Sequence, residues 1–499
     1  MSFQEYVDDP YTKKITLYEV EARDLINNTT KILYLTDGNY FCTEPTDNPA
    51  NINYEPRIKA NLNFQSSTLP DFRSSSNSDI GFGVLTIANT DGEFDNWSNF
   101  SFNGRNITRK IGSPDWNITD FITTFFGTMQ NVEQSGNSIK INVRGFEHVL
   151  NIPLQANIYD GSNSGATGDK GTKGNVKPIA LGEVNNVTMS VSNFVGLRHQ
   201  ANDGAIEAIT IYQNGLVLTD TVGYDKDLST AIITQNVGTL DQITADIQGD
   251  KTGGIYYKDT GNIFRNLLTA RFSGLSGIIN QNSITTFISK TNKTIGVWID
   301  YQTTLKEIRK LLFDGVGGYG IFRRDGQMYF DILVVPSGTA TIELDKHNIK
   351  EISIEPSEIP VNKVTVNYAR NYTIQTDQLA GSVSDARREY VGEDYKKVVS
   401  PVDSMQTDAI KLQHPLSEEL VIESTLNVES DAQELADRLF SYHGVSRMKL
   451  RVDVFLQSVN VGDLVKVTYN RHGLDSGVLF RVFAWVEKGN NRIVLDLRS

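Results

Sequence analysis

The sequence predicts a β-rich α+β protein of several domains. Apolar residues alternate with polar ones along the last fifty residues, and a weaker alternation runs through the first 155. A side-chain period of two is that of a strand with one buried face. Three amphipathic helix patterns lie between residues 260 and 443, and 499 residues are too many for one hydrophobic core. We therefore expect β-rich modules at both ends, with mixed α+β structure between them.

The N-terminal domain is predicted to span residues 1–155 and to consist mostly of strands. Alternation and β-branched residues place these strands at 15–17, 32–35, 83–88, 123–132 and 138–143. The last two are separated by a polar run that begins at Glu133, which predicts a β-hairpin.

The second predicted domain, residues 156–260, is β-rich with long polar loops. Residues 160–174 are rich in Gly, Ser and Asp and have almost no apolar side chains, so they predict a linker or loop. The Asn214-Gly215 pair predicts a tight turn between two short strands.

The third predicted domain, residues 261–355, is of mixed α+β type. Thr260 and Thr303 are predicted to cap two helices, which end near Gly274 and at Gly315. An Asp-Gly pair at 325–326 lies between two apolar runs and predicts a hairpin.

The C-terminal domain is predicted to span residues 356–499. It holds a strand group from 361, a polar stretch at 377–428 without a clear pattern, and a helix at 430–443 that a capping box of Ser430 and Gln433 begins. Four strands follow and predict an antiparallel meander. Its turn signals are at 461–463, 472–473 and 489–491.

The composition limits the classes of function. The formal net charge is −13, which argues against a general nucleic-acid binder because such a protein needs a basic surface. Cys42 is the only cysteine, so no intramolecular disulfide is possible. No secretory signal pattern and no apolar run of membrane-spanning length is found.

Local motifs offer little catalytic chemistry. The segment 315–320 matches G-x-G-x-x-G, but a helix precedes it and a strand follows, which is the reverse of a dinucleotide site, so it predicts a helix end leading into a hairpin. The carboxylates of Asp91, Glu93 and Asp95 lack the spacing of a calcium loop and predict a solvated turn with Phe94 in the core.

Other candidate residues have equally ordinary interpretations. The aromatic residues near 94–102 are compatible with sugar binding but more typical of a core or an interface. The six histidines, at 148, 199, 347, 414, 443 and 472, show no metal-ligand spacing. We predict no catalytic, metal-binding or cofactor-binding residue.

A set of motifs occurs in a fixed order along the chain. The C-terminal set consists of Ala432, Leu435, Ala436, Arg438, Leu439, Gly462, Asp463, Val465, Val467, Thr468, Gly473, Leu474, Gly477, Phe480, Arg481 and Val482. Earlier segments are 35–41, 54–57, 81–83, 88–92, 174–187 and 368–372, the last of which reads YARNY. Together they resemble the tail hub (baseplate hub, tail tip) proteins of tailed phages and gene transfer agents, in which the last segment reads YARNW.

This resemblance implies a mechanical role. It implies a β-barrel-like hub domain at each end of the chain and a homotrimeric ring at the distal end of a tail tube, in the virion. The implied partners are the distal tail protein ring, tail fibre or tip proteins, and the tape measure protein as a further contact. Genome DNA would pass through the lumen without specific binding.

Two alternatives stay open at this stage. One is a tail-associated cell-wall or capsule hydrolase, which would need an acid pair in a cleft. The other is a receptor- or glycan-binding tail module, which would need an exposed aromatic groove.

Overall fold

The strands account for most of the regular structure. The computed structural model describes residues 12–66, 68–73, 81–236, 241–456, 458–488 and 492–499. The first half contains β1 (Ile15–Asp24), β2 (Thr29–Thr36), β3 (Phe41–Cys42), β4 (Asn53–Tyr54), β5 (Ile58–Gln65), β6 (Phe82–Ala88), β7 (Phe100–Ser101), β8 (Asn106–Gly112), β9 (Ile122–Ser135), β10 (Ser138–Arg144), β11 (Ile179–Val187), β12 (Ser190–Asn193), β13 (Arg198–Gln200), β14 (Ile206–Gln213), β15 (Leu216–Val217), β16 (Tyr224–Asp227), β17 (Ile232–Gln235) and β18 (Ile243–Asp250).

The second half of the chain alternates helices with strands before its final β region. Its strands are β19 (Gly296–Ile299), β20 (Gly318–Phe322), β21 (Met328–Ile332), β22 (Ile342–Leu344), β23 (Ile349–Glu355), β24 (Lys363–Tyr368), β25 (Lys396–Ser400), β26 (Glu419–Glu423), β27 (Lys449–Phe455), β28 (Leu464–Val467), β29 (Val478–Lys488) and β30 (Arg492–Arg498). Its helices are α1 (Thr260–Asn266), α2 (Gln281–Lys290), α3 (Leu305–Asp314), α4 (Asp385–Gly392), α5 (Ser404–Gln413) and α6 (Glu429–His443).

One sheet of 14 strands combines the two ends of the chain. Its order is β2-β1-β8-β9-β10-β6-β5-β29-β30-β27-β23, with β7, β22 and β28 at its sides. The two halves meet at β5 and β29, where Gln65 lies opposite Val486. The backbone N–H of Ser66 donates to the carbonyl of Trp485 at 2.9 Å, which extends this contact.

The long strand β29 makes this union possible. The first part of one edge pairs with β28, from Val467 opposite Val478 to Leu464 opposite Arg481. The later part of the strand meets β5 instead. One large apolar core lies against the combined sheet and includes Tyr18 from the N-terminal strands and Trp485 from the C-terminal ones, and a smaller cluster contains Ile15 and Leu17 of β1.

The middle of the chain packs into two further cores. One core is shared by α1, α2, α3 and α6 with strands such as β21 and β24. The other lies on the five-stranded sheet β15-β14-β18-β11-β19. The remaining sheets are β12-β13-β17-β16, β25-β24-β26, β20-β21 and β3-β4.

Several predicted elements are confirmed. The hairpins at 133–137 and 325–326 and the Asn214-Gly215 turn all join antiparallel strands. Helices begin near each predicted start, although two of the caps lie one residue away: Asp259 rather than Thr260, and Thr304 rather than Thr303.

The predicted capping box at Ser430 and Gln433 is wrong. Helix α6 begins at Glu429 after Val428, without a side-chain cap, so Ser430 lies inside its first turn. The Gln433 amide instead donates to the carbonyl of Val399 at 3.0 Å, because packing of the helix against β25 offers it that acceptor.

The predicted C-terminal meander is also wrong in its strand order. Strand β27 pairs with β30 and β23, whereas β28 pairs with β29 and β22. Leu456, Val459 and Val461, which lie between β27 and β28, are all buried, so these residues pack into the core. The predicted turn at 489–491 lies outside the described residues.

The overall class, β-rich with helices in the middle, is confirmed. In the described part of the chain none of the sheets closes on itself, so barrel closure of the end modules is not confirmed.

Candidate functional site

The glycine-rich segment 315–320 is a structural joint. Gly315 ends helix α3, and the chain enters β20 at Gly318. Gly317 has φ +63°, a left-handed conformation that glycine adopts without strain, and a Cβ there would lie 2.5 Å from Leu435. The order helix, glycine turn, strand is the one predicted, and it offers no helix N-terminus to a phosphate.

The carboxylates of the 91–95 turn are held by an arginine. Arg57 donates to both carboxylate oxygens of Asp91, at 2.9 and 2.8 Å, and also pairs with Glu93. Hydrogen bonding by Arg57 holds the pKa of Asp91 below its ordinary value. Phe94 is buried and packs on Trp97, as predicted for a core position. The turn is therefore tied to the sheet by an ion pair.

The described residues contain neither a metal-binding cluster nor a membrane-spanning helix. No group of three or more His, Cys, Asp or Glu side chains is placed to hold a metal ion in this part of the chain. No helix in the described ranges is long and apolar enough to cross a membrane.

The most unusual chemistry lies where three parts of the chain meet. Arg109 of β8 is 4% exposed, and its guanidinium donates to both carboxylate oxygens of Glu487 of β29, at 2.6 and 2.8 Å. It also donates to the hydroxyl of Thr124 at 2.9 Å and to the carbonyl of Leu62 at 3.1 Å. A bidentate geometry of this kind is the strongest form of ion pair.

A second arginine reaches the same carboxylate from the middle of the chain. Arg324, in the β20–β21 turn, donates to Glu487 at 3.1 Å, and its guanidinium lies 3.7 Å from the ring centre of Trp485. The carbonyl of Arg324 accepts from the N–H of Phe126 at 2.7 Å. We call Arg109, Arg324, Trp485 and Glu487 the three-way junction.

The two arginines of the three-way junction have different electrostatic environments. Burial would raise the pKa of Glu487, but the charge and hydrogen bonds of Arg109, together with the charge of Arg324 and a backbone hydrogen bond from Phe64, outweigh burial and hold that pKa below its usual value. Burial lowers the pKa of Arg324 to about 10, and its Nε and Nη2 atoms have no hydrogen-bond partner. Two guanidinium groups therefore share one carboxylate, and Arg109 is the better satisfied of the two.

Two further contacts attach the middle of the chain to its N-terminal and C-terminal parts. Arg309 of α3 pairs with the buried Glu147 and donates to the carbonyl of Gly320 at 2.7 Å. Arg481 of β29 donates to the carbonyl of Gly462 at 2.9 Å and lies against the hydroxyl of Tyr319. Buried charges thus connect all three parts of the chain.

The sequence contains a signal for this junction that pattern analysis missed. Ile107, Arg109 and Ile111 occupy alternate positions of one strand, and all three are buried. A charged residue on a predicted buried face needs a partner of opposite charge. Its partner is distant in the sequence, and no local pattern indicates which acid it is.

Among known proteins, similarity to this chain is found in solved structures. No family model matches it, and no curated protein matches it. Solved structures do align with nearly the whole chain. A tail protein from Neisseria meningitidis MC58 has 10% identity and a TM-score of 0.42, covering 97% of this chain and 96% of that chain. The 43 kDa tail protein of prophage MuSo2 from Shewanella oneidensis has 10% identity and a TM-score of 0.41, covering 98% and 97%.

A third example is prophage tail protein gp18 from Listeria monocytogenes EGD-e. It has 9% identity and a TM-score of 0.39, covering 97% of this chain and 94% of that chain. The similarity to phage tail proteins that the sequence predicts is thus found again in the solved structures. Because all three TM-scores are below 0.5, no role of any residue is transferred from these proteins.

Proposed function

We propose that this chain is a structural protein of the phage virion, the hub at the distal end of a tail tube. The observation that carries the proposal is the position of the hub-like motifs in the combined sheet. Gly462-Asp463 and Phe480-Arg481-Val482 are joined by backbone hydrogen bonds from Gly462 to Val482 at 2.9 Å and from Val482 to Asp463 at 3.0 Å. The residues that carry the resemblance therefore join strands of the combined sheet, which is a mechanical role.

The architecture also suits a part that must stay rigid under force. Strands from both ends of the chain form one sheet and share a large core, and the three-way junction fixes the middle of the chain to it. A body of this kind has few places to hinge. A tail tip must transmit strain between the tube and the tip without coming apart.

The finer parts of the proposal concern assembly. Three copies would form a closed ring by head-to-tail contacts. An interface between different faces of identical subunits produces a closed ring when the rotation between neighbours is a whole fraction of a full turn, here one third. The distal tail protein ring would contact one side, tail fibre or tip proteins the other, and the tape measure protein the lumen. The net charge of −13 suits a lumen that DNA crosses without binding. We propose no enzymatic activity.

The domain divisions belong to this proposal as well. Residues 1–155 and 356–499 would be the two hub domains, each barrel-like in the assembled ring. Residues 156–260 and 261–355 would be the domains between them.

Negative-stain electron microscopy of the purified chain tests the ring, with light scattering for the mass in solution. We expect class averages with threefold symmetry and a central hole, and a mass three times the 55.6 kDa of one chain. Compact single particles and a monomer mass, at concentrations that keep the chain folded, would contradict self-assembly into a ring. A cell-wall clearing assay on the same sample tests the hydrolase alternative, and clearing would contradict the proposed lack of activity.

A further inference from the structure

A second arginine-centred site lies away from the three-way junction. A cavity of about 380 Å³ opens between strand β19, the loop that follows β11, and the segments that follow β24 and β26. Its wall includes the aromatic residues Trp298, Tyr301, Tyr372 and Tyr395. Its charged residues are Asp300, Arg370 and Glu423. We call it the Arg370 pocket. Its volume lies within the range of small-molecule sites.

The backbone around Arg370 is held firmly. Ala369 has φ +49°, a left-handed conformation that a residue with a Cβ seldom adopts. Asn371 is 1% exposed, and its side-chain amide donates to the carbonyls of Val391 and Glu393 at 2.9 and 2.8 Å. Arg370 lies between these two fixed residues, so its side chain is directed into the pocket by the fold.

The guanidinium of Arg370 is ordered by aromatic rings rather than by an acid. It lies 4.7 Å from the ring centre of Tyr372 and 5.6 Å from that of Tyr395. The hydroxyl of Tyr372 is fixed in turn, because it accepts from the N–H of Trp298 at 3.1 Å and donates to the carbonyl of Gly296 at 3.2 Å. Within the described residues, Arg370 has no carboxylate within 4 Å. One donor interacts with the hydroxyl of Tyr372, and the remaining donors of its guanidinium are available to a ligand.

The charges of the pocket select the class of ligand. A simple anion would be repelled by the carboxylates of Asp300 and Glu423, and a simple cation would be repelled by the guanidinium of Arg370. A neutral ligand with several hydroxyl groups avoids both conflicts, since a hydroxyl can donate to a carboxylate and accept from a guanidinium.

The aromatic residues add the second requirement. Tyr301 offers a flat apolar face at the pocket, and it is 56% exposed, so its ring is accessible from solvent, whereas Trp298 is buried in the core beneath and lines the pocket from below. A sugar ring combines an apolar face of C–H groups with a rim of hydroxyls, which matches aromatic faces beside polar side chains. We propose that the Arg370 pocket binds a saccharide, with Arg370, Asp300 and Glu423 on its hydroxyls and Tyr301 against its ring.

This proposal does not depend on ring assembly, because every residue of the pocket belongs to one chain. It gives the tail protein a direct contact with host-surface or cell-wall sugars, beyond the mechanical role proposed above.

Saturation-transfer NMR on the full chain tests the proposal. The probes are N-acetylglucosamine, N-acetylgalactosamine, glucose, galactose, mannose and rhamnose, each in large excess. We expect at least one to receive saturation, and its affinity to fall about tenfold or more in Tyr301→Ala and in Arg370→Ala. Arg370→Lys should also bind more weakly, because lysine keeps the charge but lacks the planar fork of donors.

Tyr40→Ala is the matched control, since Tyr40 is 69% exposed and does not line the pocket. It should bind like the parent chain, and thermal unfolding should confirm that every variant is folded. The proposal is overturned if no probe receives saturation from the parent chain. It is equally overturned if the signal survives in both pocket variants, because the sugar then binds elsewhere.

Discussion

Arg109 and Arg370 carry the same guanidinium group into opposite surroundings. Arg109 is buried, and protein acceptors satisfy it on three sides. Arg370 is exposed, is ordered by two tyrosine rings, and has no acid partner in the described part of the chain. A buried charge that lost its partner would be very costly, whereas an exposed one is free to exchange water for a ligand. The first arginine therefore serves the fold, and the second is available for binding.

The largest effect should come from breaking the three-way junction at its acid. Glu487→Gln leaves two buried guanidinium groups without a counter-charge, and we expect the free energy of unfolding to fall by about 3–5 kcal/mol. Thermal or urea unfolding measures the loss. Arg324→Met should cost less than Glu487→Gln, because Glu487 then keeps its bidentate bond to Arg109.

Glu343→Gln is the control for this comparison. Glu343 forms an exposed pair with Lys466, with 70% and 40% of the two side chains accessible. Such surface pairs contribute about 0–1 kcal/mol. Equal losses at Glu343 and Glu487 would show that the junction contributes nothing beyond a surface pair.

An intermediate effect should come from pH, through a second buried group of the C-terminal region. Burial, with a smaller contribution from the positive charge of the nearby Arg73, lowers the pKa of His443 to about 4, despite the opposing charges of Glu358 and Asp71. The unfolded chain then binds more protons than the folded one between about pH 6.5 and about pH 4, so stability falls as pH falls through this window. The shift corresponds to roughly 3 kcal/mol.

Thermal unfolding of the parent chain and of His443→Gln across this window measures the effect. We expect the variant to lose much of the pH dependence above pH 4.5, while His347→Gln, at an exposed histidine, should keep it. Identical pH profiles for the parent and His443→Gln would rule out His443 as the source.

The smallest effect on stability is expected in the Arg370 pocket. Arg370→Ala and Tyr301→Ala remove exposed side chains, and we expect the free energy of unfolding to change by no more than about 0.5 kcal/mol. Thermal unfolding in the absence of sugar measures it. A loss as large as that of Glu487→Gln would make Arg370 a structural residue and remove the contrast between the two arginines.

The two arginines also show what the sequence could and could not predict. Strands, tight turns and helix positions follow local patterns, and the Asp325-Gly326 hairpin was predictable from two residues. The Arg109–Glu487 pair joins residues 378 positions apart, and no local pattern contains both. The Arg370 pocket also draws on segments separated in the sequence, although one of them, YARNY, resembles a tail hub motif.

Helix α5 shows a different limit. It lies in the polar stretch 377–428, for which the sequence predicted no element. Its apolar residues Met405 and Leu412 are 74% and 84% exposed, and none of its residues is buried. Amphipathic patterning predicts helices that pack against a core, so a helix without a buried face gives no such signal.

The joining of β5 to β29 has a consequence for synthesis. Ser66 and Trp485 are 419 residues apart, and translation at about 5–20 residues per second leaves roughly 20–80 s between their emergence from the ribosome. During that time the nascent N-terminal strands present an unpaired edge, which is a template for pairing with neighbouring chains. Completion of the last strands closes this edge, so truncated products of the same gene should be the ones that aggregate.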